Sequence, residues 1–117
     1  MISEPEFITI VEGPTPEFRT AIEPWLYSLV EMKEPFMIAV CEVRSLNGKV
    51  LRERCQRTWR EGRPMRLDFR KMNGLRQQLE IVTVRLEELP EGDLLHIWVR
   101  HKPGELEMRG AEGDRED

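Results

Sequence analysis

At 117 residues the chain is long enough to build one domain with its own core, without metal or disulfide staples. A hydrophobic share of 39% beside a charged share of 34% fits a folded chain with a solvated surface and excludes an intrinsically disordered one. The net charge of −4 hides an asymmetry: residues 44–76 carry eleven basic side chains against three acidic ones, and the remainder seven against nineteen.

No apolar run approaches the roughly 20 residues of a membrane helix. The opening Met1-Ile2-Ser3-Glu4-Pro5-Glu6 is acidic where a signal peptide is basic and then apolar, so the expected location is cytoplasmic, with no membrane partner. Cys41 and Cys55 form no CxxC or Cys/His spacing, so the expectation is two free buried thiols and no metal or other cofactor. Arginine outnumbers lysine fourteen to four. Its planar fork suits phosphate and carboxylate, although genomic base composition produces the same bias.

In chain order, Phe7 to Val11 is β-prone and reads as a first strand. Thr15-Pro16-Glu17 then has the form of a helix start: a capping hydroxyl, proline at the first helical position, and an acid in the first turn. Phe18, Ala21, Ile22, Trp25, Leu26, Leu29 and Met32 follow at helical spacing, which predicts an amphipathic helix ending before Pro35. Pro24 inside it allows the competing reading of a short helix followed by a strand.

Beyond Pro35 the period falls to two. Four segments, 45–49, 59–63, 71–75 and 89–93, each place glycine third in a three-residue loop: Gly48, Gly62, Gly74 and Gly92. A type I turn passing to a left-handed residue has this form, so the pattern predicts four hairpins and a five-stranded meander. The implied registers (Ser45 with Lys49, Trp59 with Arg63, Lys71 with Leu75, Leu89 with Asp93) put one parity on each sheet face. The odd face is then apolar, and the even face pairs Glu42 with Arg52, Arg54 with Asp68, and Arg66 with Glu80. The predicted fold is α+β, one amphipathic helix on a five- to six-stranded antiparallel meander in the order β-α-β-β-β-β-β. It occupies residues 1–103, and 104–117 form an acidic tail expected to be mobile. At fold level only, a helix on a meander resembles the cystatin-like and hot-dog architectures, an analogy without functional weight.

No motif with a known catalytic mechanism occurs, and His96 and His101, on opposite faces, read as edge histidines rather than a metal pair. Three features point to function. Glu53 falls on the apolar face, where a buried carboxylate needs a partner; with Arg57 and Gln77 it defines a candidate ligand pocket under the helix. Arg44, Arg52, Arg54, Arg66, Arg70 and Arg76 crowd the even face as a candidate anion-binding surface. Phe36, Ile38, Val40, Val82, Val84 and Trp98 leave apolar surface on that face, with Leu86 beside them, a candidate interface. The favoured reading is a non-enzymatic binding or assembly module using the outer sheet face, with a protein partner (itself or another) expected before nucleic acid. The alternative is a small-ligand or enzyme domain around Glu53.

Overall fold

The computed structural model describes residues 4–11, 14–21 and 36–106. Six strands and one helix occur among them: β1 (Glu6–Thr9), β2 (Arg19–Thr20), β3 (Met37–Ser45), α1 (Gly48–Arg60), β4 (Met65–Arg70), β5 (Arg76–Leu89) and β6 (Gly92–His101). They form one sheet in the order β1-β4-β5-β6-β3-β2. All neighbours are antiparallel except β1 and β4, which run parallel. The fold is therefore α+β, one helix packed on a six-stranded mixed sheet. The predicted element order is corrected, because the helix lies between β3 and β4.

Residues 49–59 are not a strand. Leu51, Cys55 and Trp59 recur every four residues, a spacing that satisfies helix and strand alternation alike. The residues around them (Lys49, Arg52, Glu53, Arg54, Gln56, Arg57) are strong helix formers with no β-branching, and that propensity prevails. Asn47 starts the helix, its carbonyl accepting the Leu51 N–H at 3.1 Å. The end is a Schellman motif: Gly62 N–H donates to Trp59 O at 2.9 Å and Arg63 N–H to Thr58 O at 3.0 Å. Gly62 adopts φ +76°, so the expected left-handed glycine terminates a helix rather than turning a hairpin. Gly48, the first helical residue, is not left-handed.

Both later hairpins form. Lys71 and Leu75 close the β4–β5 turn, Lys71 N–H donating to Leu75 O at 2.8 Å, and Leu67–Leu79, Arg66–Glu80 and Arg70–Arg76 are in the expected register, although the expected Arg66–Glu80 ion pair is not among the salt bridges of the described residues. The β5–β6 turn is one residue tighter than expected: Leu89 pairs with Gly92 and Glu88 with Asp93. That shift would turn β5 over, but a bulge between Ile81 and Thr83 absorbs it. Leu79 and Ile81 before the bulge, and Val84 and Leu86 after it, thus all join the core on the helix side.

That inner face carries Ala39, Cys41, Met65, Leu67, Phe69, Leu79, Ile81, Leu95, Ile97 and Val99, sealed by Cys55, Leu51 and Trp59 of α1. Each fully buried large side chain contributes about 1.5–3 kcal/mol. Phe18, only 2% exposed, joins this core with its ring centroid 5.3 Å from that of Phe69. The predicted helix start at Thr15-Pro16-Glu17 is not helical: Thr15 Oγ1 donates to Arg70 O at 2.8 Å and Arg19–Thr20 pair with β3. The rest of the predicted helix, residues 22–34, lies outside the described residues. Outside them too are residues 107–117, whereas Leu106 packs against the inner core.

Candidate functional site

The helix divides the six candidate arginines. Arg52 and Arg54 lie on α1, across the sheet from Arg44 of β3 and from Arg66, Arg70 and Arg76 of β4 and β5. The expected Glu42–Arg52 and Arg54–Asp68 ion pairs therefore do not form. Arg54 instead donates to Phe7 O and lies 3.9 Å from Glu6, whose other oxygen takes Arg63 at 2.9 Å. The Arg63 hydrogen bond holds the Glu6 carboxyl below its ordinary range. This arginine pair straps β1 to the helix end and is structural. The outer-face arginines are held apart from it by the thickness of the sheet.

Strand alternation builds that outer face. Along β4, Met65, Leu67 and Phe69 go inward, so Arg66, Asp68 and Arg70 go outward. Cross-strand partners share a face, which adds Arg76, Glu80, Arg85 and Glu87 of β5, His96, Trp98 and Arg100 of β6, Glu42 and Arg44 of β3, and Arg19 of β2. The face thus carries seven arginines against four carboxylates, Glu42, Asp68, Glu80 and Glu87. The acids interleave with the arginines instead of forming a block.

Two groups of contacts order this lattice. Arg76 donates to Asp68 Oδ1 at 3.1 Å and to Ile10 O at 3.3 Å. Arg19 grips Glu42 bidentately at 2.7 and 2.8 Å, and Glu42 Oε2 also lies 3.3 Å from His96 Nδ1. The other ring nitrogen of His96 is 2.9 Å from Glu87 Oε1. The Arg19 hydrogen bonds, opposed by partial burial, hold the Glu42 carboxyl below its ordinary range. This chain of four residues cross-links β2, β3, β6 and β5. Because the ring aims its nitrogens at different carboxylates, the donors do not converge, and among the described residues no His, Cys, Asp or Glu cluster could hold a metal.

The apolar candidates on this face are mostly not surface. Ile38, Val40 and Trp98 are buried within the chain with Ala21, and Phe36 and Val82 pack partly buried against them. Val84 lies on the inner face after the bulge. The candidate pocket residues are not brought together beneath the helix: Glu53 and Arg57 are exposed on α1, while Gln77 of β5 donates to Glu105 O at 3.0 Å. His101, expected at an exposed edge, is buried, with Nδ1 3.0 Å from Lys102 O. Both cysteines are free, and burial pushes Cys41 up to about 12 and Cys55 to about 11, so neither is a nucleophile at neutral pH.

Arg19, Arg85 and Arg100 are not among the site candidates read from the sequence, and His96 is read there only as an edge histidine. The parity of β6 holds the signal, since His96, Trp98 and Arg100 alternate against Leu95, Ile97 and Val99. No helix among the described residues is long and apolar enough to cross a membrane. No protein family, curated protein or solved structure matches the chain.

Proposed function

We propose that the protein is a non-enzymatic binding module whose outer sheet face receives a negatively charged surface of a protein partner. One observation carries this reading: the outer face presents an excess of three positive charges in which carboxylates alternate with arginines. Arg44, Arg70 and Arg85 are exposed there. A nucleic acid presents one sign of charge along its length and would meet Asp68, Glu80 and Glu87 at every step. A protein surface of mixed sign, net negative, matches both kinds of residue, and complementary patterns of this type set specificity and on-rate.

The test is a fluorescence titration at low salt with two labelled probes, an acidic peptide of mixed charge and a single-stranded oligonucleotide of similar net charge. The reading expects the peptide to bind more tightly and to weaken as salt screens the contact. Tighter binding of the oligonucleotide would replace the protein partner with nucleic acid. Binding of neither would remove the reading.

A further inference from the structure

An open cleft of about 200 Å3 lies at the end of the outer face, lined by Phe36, Arg66, Gln78, Glu80, Arg100 and Lys102, among others. It is smaller than the roughly 300–1,000 Å3 of pockets for drug-sized ligands, which sets an occupant of about amino-acid size. Arg66, Glu80 and Arg100 are cross-strand partners in one row over β4, β5 and β6, with Glu80 in the middle. Neighbouring strands are about 4.8 Å apart, so the two arginines flank a span of roughly 10 Å.

Three further observations define the chemistry. The Arg100 guanidinium carbon sits over the Phe36 ring, 4.6 Å from its centroid, and no salt bridge among the described residues involves Arg100. Among the described residues, no ion pair joins half-buried Glu80 to either flanking arginine. The other carboxylate of the lining, Glu105, accepts the Lys102 backbone N–H at 2.7 Å through one of its oxygens, which ties it to its own turn. The cleft therefore offers Arg66, Arg100 and Lys102 to a negative group and Glu80 to a positive one. An anion alone meets Glu80, and a cation alone meets the arginines.

The geometry points to a site for a small dipolar ligand, one that carries an oxyanion at one end and a protonated amine at the other. The amine donates to Glu80, and the oxyanion pairs with a flanking arginine, Arg66 on one side or Arg100 with Lys102 on the other. This site shares Arg66, Glu80 and Arg100 with the broad surface proposed above, but Arg44, Arg70 and Arg85 of that surface do not line it.

The experiment is an NMR titration of the full chain with β-alanine, and with propionate and ethylammonium as its two halves. β-Alanine should shift the backbone amides of Arg66, Glu80, Arg100 and Lys102 saturably, and each half should bind at least about tenfold more weakly. R100Q and R66Q should weaken β-alanine. E80Q should weaken β-alanine while strengthening propionate, an inversion that a merely basic patch does not produce. R44E/R85E should change neither, so failure of the broad surface and failure of the cleft are read separately. Absence of saturable shifts, propionate equal to β-alanine in the unaltered protein, or E80Q without effect on either probe would each overturn the proposal.

Discussion

Gly48→Ala tests how α1 is seated. A β-carbon there would lie 2.6 Å from Leu86 Cδ1, 3.0 Å from Asp93 Cβ and 3.1 Å from Asp93 Oδ2. Favourable carbon contacts begin near 3.5–4.0 Å, so the first of these is about an ångström too close. Alanine is favoured over glycine in a helix by up to about 1 kcal/mol, whereas overpacking costs about 1–3 kcal/mol. Leu86 Cδ1 ends a flexible side chain and yields in part, but Asp93 Cβ is fixed to the β6 backbone. The net expectation is a loss of about 1 kcal/mol in urea unfolding, seen as a lower midpoint at unchanged slope. Leu86→Ala removes the closest obstacle. In a double-mutant cycle the Gly48→Ala cost should therefore fall by about 0.5–1 kcal/mol on the Leu86→Ala background. If Gly48 were instead a left-handed turn residue, its cost would come from its own backbone and the two changes would add. Strict additivity refutes the packing argument.

Glu42→Gln should destabilise by about 1 kcal/mol at neutral pH, where Arg19 holds the ionised carboxylate. Because the folded-state carboxyl titrates below its ordinary value of 4.5, that stability is present above this value and is lost as pH falls through the folded one. The difference between the two proteins in pH-dependent unfolding should thus shrink only under acid. Cys41 and Cys55 should both react with a thiol reagent in denaturant and neither in the native protein at neutral pH; rapid native labelling of either would contradict their burial. Arg76→Glu places a second carboxylate beside Asp68 and severs the contact to Ile10, so thermal unfolding should show a loss of about 1–2 kcal/mol. Exposed Arg70→Glu should change stability by no more than about 0.5 kcal/mol. Equal effects at the two positions would count against the Asp68–Arg76 tie.

The β4–β5 hairpin was fully legible because Gly74, the flanking turn residues and the alternation of Met65, Leu67 and Phe69 all agree. Residues 48–60 were not. Leu51 and Cys55 are four apart, which fits either period, and the two bracketing glycines looked like hairpin turns. Gly62 is left-handed in both accounts, but such a glycine serves a helix C-cap as readily as a hairpin. Helix propensity across Arg52, Glu53, Arg54 and Gln56 separates the two periods and favours the helix. The bulge at Val82 was illegible for a different reason: it compensates a one-residue change in the next turn, and neither shows without the other. Of the candidate surface, Arg44, Arg66, Arg70 and Arg76 share a face because they sit in true strands, while Arg52 and Arg54 left it with the helix. Glu53 lost its buried setting for the same reason.

The division of arginines between two sides of the molecule is the central claim, and paired charge reversals on the two sides test it most directly. R44E/R70E/R85E alters the outer sheet face, and R57E/R60E alters the last turn of α1. Binding of the acidic mixed-charge peptide, measured by titration at low salt, should weaken at least about tenfold in the first variant and remain within about twofold in the second. Equal losses in both, or a loss confined to the helix variant, would contradict the outer face as the binding surface.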